Sequence, residues 1–205
     1  MPKIKMPKSS PSIDMTPMVD LGFLLVTFFM LTTQFLPEEP VSPDTPASIS
    51  EMQIDEKNMM MLSVDKDDRV FYTFDGQEQR KKVLKEMGDK YGVKFTDEES
   101  NLFSNMSSFG VPMQNLKEYI NLESSARNKY PTDGIPCDST NNELLDWIKF
   151  SRRAKEENKV ATNQKYNISI KGDRLASYKK IKRVMKVLEE ADIFKFNLIT
   201  DLKTE

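Results

Sequence analysis

The sequence predicts one N-terminal transmembrane helix followed by an α+β domain in which helices pack against a small mixed sheet. Three patterns support this fold class: an apolar segment at positions 17–36, an alternating hairpin pattern at 59–74, and a strand, helix and strand order over the last forty residues. The last pattern indicates parallel pairing, because a helix is the usual connection between parallel strands.

The apolar segment has the sequence PMVDLGFLLVTFFMLTTQFL. Twenty residues of helix extend about 30 Å, which matches the hydrocarbon core of a bilayer. No signal-peptide cleavage site follows the segment, so we expect it to be retained as an anchor in the lipid bilayer.

The flanking charges predict the orientation of this helix. Lys3, Lys5 and Lys8 precede it, whereas residues 37–56 contain six acidic and no basic residues. By the positive-inside rule, residues 1–16 lie in the cytoplasm and the chain after the helix lies in the periplasm of a Gram-negative cell, with the helix in its inner membrane.

Residues 37–57 are predicted to be a periplasmic linker. They contain four prolines among Ser, Thr, Asp and Glu, a composition that favours extended chain over a packed core. We expect the domain at 58–205 to begin with a hairpin of strands at 59–64 and 69–74.

Helical periodicity in this domain starts near Val83 and again near Met113, and residues 96–111 are ambiguous. The motif Thr140-Asn-Asn-Glu143 predicts a capping box ahead of a third helix. Strands are expected at 166–170 and 194–200. The helix between them carries apolar residues at Tyr178, Ile181, Val184, Met185 and Leu188. Methionine and aromatic positions in these elements are assigned to the core.

Composition excludes several functions. The chain has 30 basic and 32 acidic residues. This near balance gives no net positive electrostatic field that would attract nucleic acid. It has no histidine, the commonest general base and zinc ligand, and no nucleophile or phosphate-loop motif. We therefore expect no enzyme, no catalytic residue, no metal and no cofactor. The aspartates at 65, 67 and 68 are assigned to a hairpin turn, because the other ligands of a calcium loop are missing.

Cys137 is the only cysteine, so an internal disulfide is impossible. Two interpretations stay open: an isolated thiol in a loop, or an intermolecular disulfide across a dimer in an oxidising compartment.

Asp20 is the candidate functional residue, because a carboxylate within an apolar span is costly unless it faces protein or water. Asp20, Thr27 and Gln34 are spaced by seven, which places them within about 40° of one another on a helix. Partner helices around this polar stripe would desolvate Asp20, so that it could gain and release a proton.

The alternative for Asp20 is a capping role at the positive end of the helix dipole. Thr16 already provides a natural N-cap and Pro17 a natural first helical residue, which makes a second capping group less necessary.

Three segments resemble the ExbD/TolR family. Residues 13–20, IDMTPMVD, followed by the hydrophobic run, resemble its signature, and residues 61–70, MLSVDKDDRV, resemble its opening hairpin. The end of the chain resembles the closing part of the family's domain. The closing strand corresponds to ISIKGD at 168–173, the closing helix to the helix that follows, and the last strand to LIT at 198–200. Residues 80–163 are longer than the helical connection usual in the family and form an insertion.

The resemblance implies that two copies of the span lie inside a pentamer of an ExbB/TolQ-like multi-span protein. Asp20 would be the proton acceptor, Thr16 and Pro17 would shape the helix start, and Thr27 and Gln34 would give pore-facing support. The periplasmic domains would form a homodimer and transmit force to a TonB- or TolA-like protein or to peptidoglycan. This describes a subunit of a proton-channel motor for outer-membrane transport.

The competing hypothesis is a passive, membrane-tethered periplasmic binding protein, for example for peptidoglycan, in which the helix is only an anchor. The sequence leaves open which process is energised: uptake, envelope maintenance, or motility and secretion. It also leaves the role of the insertion open.

Overall fold

The computed structural model describes residues 15–33, 43–48, 59–127, 129–162, 167–199 and 201–202. The chain forms two compact units, residues 1–36 and 37–205. In the first unit the described residues form one helix, α1 (Thr16–Thr32).

The second unit alternates strands and helices. In chain order these are β1 (Ala47–Ser48), β2 (Met59–Val64), β3 (Val70–Phe74), α2 (Gln77–Tyr91), α3 (Asp97–Ser104), α4 (Met113–Asn121), α5 (Ser124–Arg127), α6 (Glu143–Thr162), β4 (Asn167–Gly172), α7 (Tyr178–Glu190), β5 (Asn197–Ile199) and β6 (Asp201–Leu202).

A four-stranded sheet organises this unit in the order β3-β2-β4-β5. The central strand β2 pairs antiparallel with β3 and parallel with β4, and β4 pairs parallel with β5. This mixed sheet with packed helices confirms the α+β prediction for the domain. A separate parallel pair joins β1 to β6, with Ala47 opposite Asp201.

The β2–β3 turn is stabilised by one buried carboxylate. Asp65 Oδ1 accepts hydrogen bonds from the backbone N–H groups of Asp67 at 3.0 Å and Arg69 at 2.9 Å. Asp68 has a φ of +60°, a left-handed conformation that aspartate tolerates better than most residues. The turn therefore stabilises the hairpin predicted from the sequence, in which Val64 pairs with Val70.

One face of the sheet and the helices share a single apolar core. Met60, Leu62 and Val64 of β2 belong to the same buried cluster as Ile170 of β4, together with residues of α2, α6 and α7. Alternate positions of β2 enter this core because successive side chains of a strand point to opposite faces.

The insertion at 80–163 contributes to this core. Trp147 of α6 is fully buried, and its ring lies 5.9 Å from Phe103 and 4.7 Å from Phe109 between centroids. Phe109 also exchanges backbone hydrogen bonds of 2.8 and 3.1 Å with Tyr72 on the outer edge of β3. The inserted residues therefore complete the sheet and its core.

The predicted capping box at 140–143 is wrong. Glu143 is the first residue of α6, and its carboxylate accepts from the backbone N–H of Met113 at 2.8 Å, at the start of α4. The capping box lies instead in the ambiguous region, where Thr96 and Glu99 cap α3 reciprocally.

Two aromatic residues assigned to the core are exposed. Tyr178 and Phe194 each expose 75% of their surface. Tyr178 lies about 180° around the helix axis from Val187, which is buried, so it points away from the core. The strand predicted at 194–200 also starts later than expected, because β5 begins only at Asn197.

Replacing Trp147 with alanine tests whether the insertion and the sheet share one core. We expect Trp147→Ala to lower the free energy of unfolding by about 3–5 kcal/mol, the usual effect of emptying a buried aromatic site. Urea titration of the full chain in detergent, followed by circular dichroism, measures this. Leu102→Ala, at an exposed position of the same insertion, is the matched control. A loss below about 1 kcal/mol, or a separate transition for the inserted helices, would contradict a shared core.

Candidate functional site

Asp20 is the fifth residue of α1 and its side chain is exposed on this helix. Within the described part of the chain, no donor contacts its carboxylate. Its local sequence explains the position, since the apolar residues around it form an uninterrupted helix and leave Asp20 as the only charge on α1.

The start of α1 differs from the prediction by one residue. Met15 occupies the cap position and supplies no side-chain hydrogen bond, so the helix begins at Thr16 and Pro17 is its second residue. Thr16 is thus not the N-cap that the sequence predicted. Proline fits the first turn because the N–H that it lacks has no partner there.

Thr27 shares the face of Asp20, two turns along the helix. Its hydroxyl lies 2.9 Å from the carbonyl oxygens of both Phe23 and Leu24. The donor of Thr27 is therefore satisfied within α1, which suits an apolar environment. Gln34, the third residue of the predicted stripe, lies outside the described residues.

The rest of α1 presents apolar side chains in all directions. The exposed apolar residues are Met18, Val19, Leu21, Phe23, Leu24, Leu25, Val26, Phe28, Phe29, Met30 and Leu31. Across the residues that the structure describes, no helix combines the length and hydropathy needed to cross a membrane. Positions 34–36 of the predicted span are outside those residues.

A part of the predicted linker is packed within the second unit. The backbone N–H of Asp44 donates to Asp173 Oδ2 at 3.1 Å, and the N–H of Arg174 donates to the Asp44 carbonyl oxygen at 2.7 Å. Thr45 is buried. Residues 43–46 therefore lie against the loop between β4 and α7, which a proline-rich composition alone did not predict.

The two edges of the four-stranded sheet differ. The β3 edge is covered by the insertion, through Phe109 on Tyr72 and through the N–H of Ile135, which donates to the Val70 carbonyl oxygen at 2.9 Å. At the opposite edge, Leu198 of β5 exposes 57% of its surface. The insertion therefore covers the β3 edge, and it also contacts the end of α7, where Arg152 donates to the Ala191 carbonyl oxygen at 2.9 Å.

The family model for biopolymer transport protein ExbD/TolR matches residues 6–203. The chain belongs to the ExbD/TolR family. The match includes the region of the insertion as well as both ends. ExbD/TolR proteins are non-enzymatic, have an energy-transduction role in biopolymer transport and work with ExbB/TolQ-type partners. Neither a curated protein nor a solved structure matches this chain.

This ExbD/TolR chain has no metal-binding cluster of Asp, Glu or Cys side chains in its described residues. The thiol of Cys137 is free and fully buried. It is therefore not presented to a second copy in this conformation, as an intermolecular disulfide would require.

Two basic side chains of this ExbD/TolR domain are withdrawn from solvent, and no sequence pattern had indicated them: Lys155 on α6 is buried and Arg80 on α2 is half-buried. The Arg80 guanidinium donates to the carbonyl oxygens of Phe74, at 2.6 Å, and of Met106, and burial lowers its pKa. Burial also lowers the pKa of Lys155 to about 8, against the opposing effect of the nearby Asp75. Their positions on helices that look polar in sequence gave no sign of burial.

Lys155 gives the domain a distinctive dependence on pH. Its pKa is 10.5 in an unfolded chain and about 8 in the fold. Between these values the unfolded chain binds more protons, so stability rises with pH. We expect a gain of up to about 3 kcal/mol from below pH 8 to above pH 10.

The measurement is urea unfolding of the wild type and of Lys155→Met between pH 7 and pH 10. The lysine-to-methionine variant should lose the upward slope, whereas Lys85→Met, at an exposed position, should retain it. Equal slopes in the wild type and Lys155→Met would rule out a buried ammonium at this position.

Proposed function

We propose that this ExbD/TolR protein is the small subunit of a proton-channel motor in a bacterial inner membrane. It converts proton motive force into work on a TonB- or TolA-like partner for outer-membrane transport. The observation that carries the proposal is a single carboxylate, Asp20, on an otherwise apolar helix in a chain of this family.

The proposed membrane span comprises α1 and the residues up to Leu36. Support comes from the apolar side chains that α1 exposes on all sides, since such a surface requires lipid or partner helices. Lysines before α1 and acidic residues after it support a cytoplasmic N-terminus and a periplasmic domain.

Asp20 is the proposed proton carrier. In the assembly, a pentamer of an ExbB/TolQ-like protein surrounds two copies of the span and removes water from the Asp20 face. A protonated Asp20 is neutral and can pass an apolar surface, whereas the carboxylate is held at a polar position. Because the Thr27 hydroxyl is bonded to its own helix, it can line this path without holding the Asp20 carboxylate.

The energy available fits a stepwise motor. One charge that crosses a potential of 100 mV releases about 2.3 kcal/mol, so several protons are needed for a large conformational step. Two copies of Asp20 in one complex could be loaded in alternation, which would turn the small energy of each proton into successive steps of the same kind.

The periplasmic domains are proposed to act as a homodimer that engages an extended partner segment. Two spans in one complex raise the local concentration of the tethered domains to the millimolar range, so a weak interface suffices. The covered β3 edge leaves the side of β5, with Phe194 and Leu198 exposed, as the better candidate for pairing with a partner strand.

Substitution of Asp20 tests the proton-carrier role. Asp20→Asn removes the titrating group without adding bulk, so we expect proton flux through the purified complex in vesicles to fall to background, with copurification of the multi-span partner unchanged. Asp20→Glu should be partly active at most, because the extra methylene displaces the carboxyl. Flux is followed with a pH-sensitive dye after a potential is applied.

Asp89→Asn, a matched change at an exposed position on α2, should leave the flux unchanged. If Asp20→Asn retains most of the flux, Asp20 is not the proton carrier. A passive anchor predicts no flux in any variant and no dependence of periplasmic binding on Asp20, and that result would favour the tethered binding protein.

Crosslinking in cells tests which surface engages the second copy and the partner. Cysteines placed singly at Lys195 and Leu198 should give homodimer or partner adducts that depend on the proton gradient. Those at Gln114 and Asn115 on α4 should not, because the insertion packs inward on the β3 side. The wild type serves as a control, since its only cysteine is buried. Adducts from α4 alone would move the contact to the insertion, and adducts from neither set would contradict this part of the proposal.

A further inference from the structure

The outward face of α7 carries an unusual concentration of positive charge. Five of its first nine residues are basic and none is acidic. Four of them, Lys179, Lys182, Arg183 and Lys186, lie within an arc of about 100° around the axis. The opposite side of the helix is formed by Val184, Val187 and Leu188, which are buried.

Most of this charge is not neutralised by the fold. Among the described residues, Lys179, Lys182 and Lys186 have no ion pair, whereas Arg183 pairs with Glu190 at 3.3 Å. Two carboxylates, Asp68 and Asp138, border this face. Asp68 already accepts a hydrogen bond from the Ser177 N–H at 2.7 Å. The basic face therefore presents a net positive surface to its surroundings.

Helix stability does not explain these lysines. The N-terminal end of a helix carries a partial positive charge, so cations in the first turn destabilise the helix. Lys179 is the second residue of α7 and Lys180 the third. A partner that carries negative charge would offset this repulsion.

Exposed apolar residues adjoin the basic face. Leu175, just before α7, exposes 72% of its surface and Tyr178, its first residue, exposes 75%. Tyr178 lies about 40° around the axis from Lys182, so the aromatic ring and the lysines share one side of the helix. Lysine together with tyrosine and leucine is the combination that binds the interface of a membrane, where the apolar groups enter the headgroup layer.

The length of the chain limits how far this face can lie from the proposed membrane span. Asp44 is bonded to Asp173 and Arg174, only a few residues before Tyr178. The eight residues from Leu36 to Asp44 extend at most about 30 Å when fully stretched. However the two units are arranged, docking of Asp44 therefore limits the distance between α7 and the end of the span.

We propose that the basic face of α7, with Leu175 and Tyr178, binds anionic phospholipid headgroups of the membrane that anchors the chain. The proposal rests on the proposed function, because it requires the span. The charge selects anionic lipid, and the two apolar residues and the tether favour a membrane over a dissolved anionic polymer. Lipid contact would hold the domain near the membrane until it is released toward its partner.

The test uses the full chain in nanodiscs of zwitterionic lipid, with or without anionic phosphatidylglycerol. A bimane fluorophore on Leu175→Cys reports contact with lipids that carry a nitroxide quencher on the headgroup, and the buried Cys137 should remain unlabelled. We expect quenching only with anionic lipid, and its loss at high salt, because charge attraction is screened there.

Reversal of the charge gives the matched comparison. The triple variant Lys179→Glu, Lys182→Glu, Lys186→Glu should lower the ratio of lipid-bound to free domain by about tenfold or more. A control with the same change in charge, Lys85→Glu, Lys94→Glu, Lys129→Glu, alters exposed lysines outside α7 and should retain quenching. Circular dichroism of both variants shows whether they fold. A milder triple variant, with Lys changed to Gln at 179, 182 and 186, removes the charge without reversing it and so separates loss of binding from loss of fold.

The outcomes distinguish this inference from the proposed function. A chain that fails to enter nanodiscs contradicts the membrane span. A chain that enters but shows no quenching, equal quenching in zwitterionic lipid, or equal loss in both charge variants overturns only the lipid contact. Binding of soluble polyglutamate by α7 in place of lipid would likewise overturn it and assign the face to an anionic polymer.

Discussion

The parallel pairing of β2 with β4 is the interaction on which the rest of the periplasmic domain depends. It places Met59 opposite Asn167, so the chain must leave the sheet after β3 and return to it at β4. Closing such a loop has an entropic cost that grows slowly with length, which is why a long insertion is tolerated. Here the inserted residues offset part of that cost, because Trp147, Phe103 and Phe109 are buried in the core of the same domain.

This arrangement gives the two sheet edges different roles. The strand closest to the insertion, β3, has its outer backbone groups bonded to Phe109 and Ile135, which protects that edge from pairing with another chain. The other edge is formed by the short strand β5, with apolar residues exposed beside it. Docking of Asp44 near α7 adds a second link between the sheet and the chain that leads to α1. The strand proposed to meet a partner thus forms the edge opposite to the covered β3 edge. The insertion also reaches the end of α7, where Arg152 donates to the Ala191 carbonyl oxygen at 2.9 Å.

The sequence predicted those parts of the fold that depend on local pattern. Strand alternation and the Asp65 turn indicated the hairpin, and helical spacing indicated α2, α4 and α7. The capping motif was assigned to Thr140 because leucines follow it, although Thr96 carries the same T-x-x-E signal. Packing decides which of the two T-x-x-E motifs forms a capping box, because the Glu143 carboxylate accepts a hydrogen bond from the Met113 N–H instead. The burial of Lys155 was also decided by tertiary contacts, which a single sequence does not encode locally.

The same contrast applies to the candidate site. Asp20 was identifiable from the sequence because burying a single charged side chain on an apolar helix costs free energy, whether lipid or protein surrounds the helix. The basic face of α7 was not identified, because its lysines are ordinary on a solvated helix until their neighbours and unpaired state are known. The central claim is that Asp20 changes protonation as the motor works. Infrared difference spectroscopy of the purified complex in vesicles, with a proton gradient switched on and off, tests it most directly. We expect a protonated-carboxyl band that responds to the gradient and is absent in Asp20→Asn. A band that is unchanged by this substitution, or no band at all in the wild type, would contradict the role of Asp20 as proton carrier.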